Sequence, residues 1–250
     1  MSNTIYLSVV IPSYNEMTNL KRSVLPKIIE YLSQQDFQWE VILSDDGSQD
    51  GTQQKLEEFA CQHQSVKVLA NPHKGKGPTV KAGMLAAQGQ WRLFTDFDQS
   101  TPLNEVEKLL KFTSQADVII GSREVPGALR DKEPFHRHLM GRGFNFLVRA
   151  LAVPKIYDTQ CGFKLFSAEA TEKLFNSLYI YGGDQERSDA FTGAFDVELL
   201  YLARKHQFKI KEVPILWQHY HSDRVSPIKD SLRMLKDIIR IRIADLFGKY

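Results

Sequence analysis

Three acidic clusters carry the residue types most suited to chemistry. Glu16 closes Pro12-Ser13-Tyr14-Asn15-Glu16, Asp45 and Asp46 open Asp45-Asp46-Gly47-Ser48, and Asp96 and Asp98 flank Phe97. Each follows an apolar run that reads as a buried strand, namely Leu7–Ile11, Glu40–Leu43 and Trp91–Thr95. Converging carboxylates repel one another unless a cation sits among them. An Asp-x-Asp turn suits a hard divalent ion, Mg2+ or Mn2+, which keeps several waters and takes further ligands from a diphosphate. Turn and cap chemistry explains any one of these aspartates alone. Three clusters on one rim favour the metal.

The elements that must position them follow from hydrophobic periodicity. Strands are expected at Leu7–Ile11, Glu40–Leu43, Val66–Leu69, Trp91–Thr95 and Val118–Ile120. Helical spacing joins Leu20, Val24, Ile28 and Leu32, with Pro26 a candidate kink. Further helices are expected over Thr52–Gln62, Thr79–Ala87 and Pro102–Phe112. This βαβ alternation predicts an α/β fold, a mainly parallel sheet with helices on both faces. Ligands of such sheets bind at the carboxyl ends of the strands, where the acidic clusters fall. After Ser122 the pattern loosens. A long loop is expected over Glu124–His138, a helix over Leu139–Leu151, a strand over Gly162–Phe166 and a helix over Ala168–Ser177. A loop at Tyr179–Ala190, helix Phe195–Lys205, strand Lys209–Ile215 and final helix Ile228–Phe247 follow.

Composition excludes several classes. The 250 residues are 42% hydrophobic and 25% charged, as in an ordinary soluble domain. The net charge of +2 gives no support to nucleic-acid binding. It nevertheless conceals an asymmetry: Arg123–Arg149 and Lys229–Tyr250 each carry six basic against three acidic residues. Two distant cysteines, Cys61 and Cys161, imply neither a zinc site nor a disulfide framework, and a reducing compartment is the default. No signal peptide and no membrane-spanning run is read, so a cytoplasmic protein, soluble or attached at the cytoplasmic face of a membrane, is expected. Gly75-Lys76-Gly77 fits neither the dinucleotide fingerprint nor the P-loop, which argues against an NAD enzyme or an ordinary kinase.

Ser8-Val9-Val10-Ile11-Pro12-Ser13-Tyr14-Asn15-Glu16, then Asp45–Thr52, then Asp96-Phe97-Asp98 resembles the family 2 glycosyltransferases of the Rossmann-like GT-A fold. The second half is similar to the members that load sugars onto polyprenyl phosphates. The motifs are Asn71–Gly77, Gly121-Ser122-Arg123, Asp158–Phe166, Phe195–Leu200, Glu212–Ile215 and Arg224–Pro227. They look most like the dolichyl-phosphate glucose-transferring branch; the alternatives are the mannose-transferring branch with GDP-mannose as donor, a family 2 member with a glycan acceptor, and a catalytically silent nucleotide-sugar-binding protein. The resemblance implies that Pro12, Tyr14, Glu16, Asp45 and Asp46 hold the nucleoside of a nucleotide-sugar, UDP-glucose in the first instance. It implies that Asp96 and Asp98 hold the metal and through it the diphosphate.

Sugar transfer needs a leaving diphosphate neutralised by metal and basic groups, and an acceptor held in line. A polyprenyl phosphate acceptor is already anionic, so arginines would clamp it. Arg123 and Arg142 are the candidates, and Lys76 is placed to meet the donor diphosphate. Asp158 and Gln160 would shape the acceptor loop. Asp196 falls where inverting members carry an acid near the acceptor, either to orient it or to accept a proton. Residues 1–227 are expected to form the catalytic domain and 228–250 an amphipathic helix. Its face of Ile228, Leu232, Leu235, Ile239, Ile243 and Leu246 suits either packing or an anionic membrane surface.

Overall fold

A computed structural model describes residues 4–131, 152–182, 194–219 and 227–250. The five expected runs are strands: β1 (Leu7–Ser13), β2 (Trp39–Asp45), β3 (Val66–Ala70), β4 (Trp91–Thr95) and β5 (Val118–Ser122). Among them run α1 (Met17–Lys21), α2 (Val24–Ser33), α3 (Thr52–Ala60), α4 (Lys76–Ala86) and α5 (Val106–Leu110). Then follow β6 (Leu129–Arg130), β7 (Phe163–Ser167), α6 (Ala168–Asn176) and α7 (Phe195–Lys205). The chain continues through β8 (Ile210–Pro214), β9 (Leu216–Trp217) and α8 (Pro227–Leu246).

Seven strands form one sheet in the order β3-β2-β1-β4-β7-β5-β8. All pairings in it are parallel except those of β7, which runs antiparallel to both β4 and β5. Alternation along the strands divides the core. Val10, Ile42, Phe94 and Ile120 face one layer with Val80 of α4, Leu174 of α6, Leu199 of α7 and Ile238 of α8. Val9, Ile11, Val41, Leu43 and Ile119 face the other with Ile28 of α2, Leu56 of α3 and Leu109 of α5. Each fully buried Leu, Ile or Phe contributes about 1.5–3 kcal/mol, so helices on both faces hold the sheet.

Several expectations change in detail. The helix expected to run through Leu20 and Leu32 is broken at Ser23, which sits in the left-handed region at φ 56°. Pro26 falls in the first turn of α2, where no intrahelical N–H bond is lost, and so it causes no kink. The Pro102–Phe112 helix is reduced to a 3-10 turn at Leu103–Glu105 followed by the short α5. Buried Glu105 accepts the Leu216 N–H at 2.8 Å, so a distant strand shapes this turn. The loop after Glu124 contains β6, paired parallel with β9. The Leu139–Leu151 helix lies outside the described residues. Among the described residues, no helix is long and apolar enough to cross a membrane.

Helix α8 has two apolar sides. Ile238, Ile241 and Ala244 are buried. Leu232, Ile239, Ile243 and Leu246, all on the face read from the sequence, are 64%, 48%, 46% and 80% exposed.

Candidate active site

The loops after β1 and β2 form one laced unit. Ser13 Oγ donates to Asp45 Oδ1 at 3.0 Å, and Asp45 also accepts the Ser48 N–H at 2.8 Å. Asn15 N–H donates to Ser48 Oγ at 2.9 Å, and Glu16 N–H to Thr52 Oγ1 at 2.8 Å. Pro12 lies in β1 opposite Ser44. Asp45 is fully buried, so its carboxylate builds this unit from within. Asp46 ties it to the glycine-rich loop, accepting the N–H groups of Lys74 at 2.8 Å and Gly75 at 3.0 Å. His73 Nδ1 stands 2.9 Å from Asp46 Oδ2, and its ring stacks on Tyr14 at 4.2 Å and 2°. Gly75, at φ 90°, permits the turn that aims these amides at Asp46. Pro12, Tyr14, Glu16, Asp45 and Asp46 are thus gathered at one end of the sheet.

Asp96 and Asp98 occupy the turn after β4. Lys76, the first residue of α4, places Nζ 2.5 Å from Asp96 Oδ1. Burial pulls the Lys76 ammonium down, and the charges of Asp96 and Asp196 outweigh it and hold it above its ordinary value. Asp98 Oδ1 accepts the Ser100 N–H at 2.8 Å. Burial, and after it the neighbouring Asp96, push the Asp98 carboxyl above the usual range. Among the described residues, no group of three or more His, Cys, Asp or Glu is arranged to hold a metal by itself. Two hard oxygen donors on one turn still fit Mg2+ or Mn2+, which protein carboxylates hold together with substrate phosphates.

Strand β7 brings the second-half motif against this turn. A Cβ on Gly162 would lie 2.0 Å from Asp96 Oδ2, so only glycine leaves the Asp96 carboxylate its place. Gly162 O also accepts the Asp96 N–H at 3.2 Å. Lys164 is fully buried, and its Nζ donates to Asp196 Oδ1 and to Cys161 O, each at 2.5 Å. Asp196 sits in the first turn of α7. Burial pushes its carboxyl up, and Lys164 and Lys76 only partly offset that rise.

Arg123, just past β5, forms a fork with Asp158. Nε lies 2.7 Å from Oδ2 and Nη2 2.8 Å from Oδ1, and the Arg123 N–H adds a third bond at 2.9 Å. The guanidinium also lies over the Trp217 ring at 5.5 Å. Burial raises Asp158, but the Arg123 charge outweighs it and holds the carboxyl below the usual range. Asp158 is wholly enclosed, so what it presents to the outside is the orientation of Arg123. Gln160 Nε2 donates to Met234 Sδ of α8 at 3.3 Å. Burial pushes the Cys161 thiol up to about 12, which leaves it no role as a nucleophile. Arg142 lies outside the described residues.

Sequence reasoning missed His73, Gly162 and Lys164 as parts of the site. The signal was present, since His73 lies inside the Asn71–Gly77 motif and the other two inside Asp158–Phe166. What was missing was the antiparallel pairing of β7 with β4, which sets Lys164 opposite Phe94.

Comparison with known proteins identifies the family. The model of "Glycosyl transferase family 2" matches residues 8–175. The chain is 36% identical over 261 residues to dolichyl-phosphate beta-glucosyltransferase of Dictyostelium discoideum, covering 98% of this chain and 76% of that protein. It is 35% identical to the protein of that name from Homo sapiens, covering 100% and 78% respectively. Among solved structures, glucosyl-3-phosphoglycerate synthase of Mycobacterium tuberculosis, in complex with Mn2+, UDP and glucosyl-3-phosphoglycerate, superposes with a TM-score of 0.60. That match has 17% identity and covers 96% of this chain and 79% of that one. A Pyrobaculum calidifontis mannosyltransferase in complex with GDP-Man and Mn2+ gives a TM-score of 0.60 at 18% identity, covering 96% and 65%. These structures share the GT-A fold described above. With an acidic turn after β4, Lys76 of α4 paired to it, and a family model spanning most of its length, the chain belongs to the family 2 glycosyltransferases.

Proposed function

We propose that the protein transfers glucose from UDP-glucose to a polyprenyl phosphate of the dolichyl type, with inversion. The observation that carries this reading is the shared sheet edge, where Asp96, Asp98 and Lys76 stand near Asp196 and the Arg123–Asp158 fork follows β5. Near-full-length similarity to dolichyl-phosphate beta-glucosyltransferases supports the choice of sugar and acceptor. Tyr14 and Glu16, on the frame of Pro12, Asp45 and Asp46, take the nucleoside. Asp96 and Asp98 hold Mg2+ or Mn2+, which when bound neutralises the leaving diphosphate. Lys76 meets the same diphosphate. Arg123, oriented by Asp158, takes the acceptor phosphate, with Gln160 on that side and Arg142, on the sequence alone, a second arginine for the same phosphate. The phosphate is already anionic, so Asp196 has an orienting role and little demand falls on it as a base.

The exposed apolar stripe of α8 fits the surface of the membrane that would hold such a lipid. Lys236, Arg240, Arg242 and Lys249 are exposed beside it, whereas Asp237 is buried and Asp245 is paired with Lys205. Apolar insertion and basic flanks together suit an anionic bilayer, at its cytoplasmic face.

Purified protein incubated with UDP-glucose, Mn2+ and polyprenyl phosphate should form the glucosylated lipid. GDP-mannose in place of UDP-glucose should give little product, and the reverse preference would move the protein to mannose transfer. Folded protein without transfer from either donor would overturn the acceptor assignment. Asp98→Ala should abolish metal-dependent UDP binding by calorimetry, and unchanged binding would remove Asp98 from the metal site.

A further inference from the structure

Lys164 is costly to explain as scaffold. It lies in the centre of the sheet, on β7, opposite Phe94 of β4 and Ile120 of β5, and is fully buried. Taking an ammonium out of water costs several kcal/mol, and an apolar side chain of similar volume commonly packs there at no loss. Its Nζ instead lies 5.3 Å from the centre of the Phe94 ring and reaches Cys161 O and Asp196 Oδ1. Lys76 at the start of α4 and Asp96 after β4 also act on Asp196. Asp96, Asp98 and Asp196 therefore stand against Lys76 and Lys164, an excess of one negative charge before any substrate arrives. Both proposed substrates bring phosphates to this edge.

We propose that Lys164 is a positioning residue for acceptor binding: a fixed countercharge that pins the Asp196 carboxylate and lets an anionic acceptor come close to it. The proposal rests on the reading of Asp196 given above. Without Lys164, Asp196 keeps only Lys76 as a countercharge, a lysine already engaged by Asp96; the carboxyl is free to turn, and its ionised form repels a phosphate. The donor diphosphate is served by Lys76 and the metal carboxylates, so its binding depends little on Lys164. Loss of Lys164 should therefore separate acceptor from donor.

The test compares Lys164→Met, Asp196→Asn and the double variant in full-length protein, with polyprenyl phosphate as acceptor. Lys164→Met should raise the acceptor KM by about 10-fold or more, the effect of one unpaired charge. UDP affinity with Mn2+ should stay within about twofold of the unaltered protein. The double variant removes both charges, so it should recover most of the acceptor KM while kcat stays at the Asp196→Asn level. Equal loss of donor and acceptor binding, or a double variant no better than Lys164→Met, would overturn the proposal. If Lys164→Met fails to fold, a double variant that folds upholds the charge pairing, and one that also fails assigns Lys164 to packing. Asp196→Asn turning over like the unaltered protein would overturn the role of Asp196 itself. Strongly non-additive thermal melts would then still uphold the pair.

Discussion

Gly162 stands against the Asp96 carboxylate so closely that a single added carbon would lie 2.0 Å from Oδ2. Gly162→Ala must therefore move Asp96 while leaving β7, which begins at the next residue, in place. Displacements of this kind cost turnover by about 10- to 100-fold. The expected result is weakened UDP binding in the presence of Mn2+, with metal-free UDP binding and the melting temperature nearly unchanged. Calorimetry with and without Mn2+ reads this directly. Equal affinity in both variants would show that Asp96 has room to shift without consequence.

Lys76 is paired with the same carboxylate at 2.5 Å, where it competes with any other cation. Lys76→Ala should tighten binding of Mn2+ alone and weaken binding of UDP with Mn2+. Each change is expected to be about 10-fold, the worth of one charge-assisted bond. Opposite signs in the two titrations are the signature, and a uniform loss would argue against the pairing.

The Arg123–Asp158 fork has a consequence for acid stability. Arg123 lowers the Asp158 carboxyl in the folded chain. Its contribution is therefore fully present above the ordinary carboxylate value and is lost as pH falls through the lowered one. Asp158→Asn should cost about 3–5 kcal/mol at neutral pH, since it leaves a largely buried guanidinium unpaired. Urea melts at neutral and strongly acidic pH should show the gap between the two proteins narrowing in acid. A constant gap would mean that the fork does not titrate with unfolding.

Ile239 is 48% exposed on the outer face of α8, so Ile239→Glu should alter stability by only about 0.5 kcal/mol. Flotation with vesicles containing anionic lipid should lose most of the bound protein. Unchanged flotation would remove the membrane role from this face.

The first half of the molecule was legible because its strands are short apolar runs that end in acids or turn residues. Trp91–Thr95 was readable to the residue, and the acids after β1, β2 and β4 fell on the edge that parallel topology demands. Less legible were features set by partners far along the chain. Ser23 breaks a helix whose apolar spacing continues across it. Phe163–Ser167 contains a buried lysine, so hydropathy gives no hint that this strand enters between β4 and β5. Asp158 reads as shaping the acceptor loop, but its fork with Arg123 spans 35 positions and leaves no local trace. His73 was passed over because its stacking on Tyr14 joins two loops that only the folded sheet brings together.

The place of β7 also decides how the molecule can be divided. Residues up to Ser122 look like a self-sufficient nucleotide-binding half, yet β4 and β5 are not neighbours, because the slot between them is filled by a strand made later. A fragment cut after Ser122 would leave β4 with an open edge and β5 with no partner. On the ribosome, the acidic turn would wait for Gly162 before its floor existed. The sheet is thus interleaved rather than modular: strands made late complete strands made early, and grafting either part onto another scaffold would carry an exposed seam.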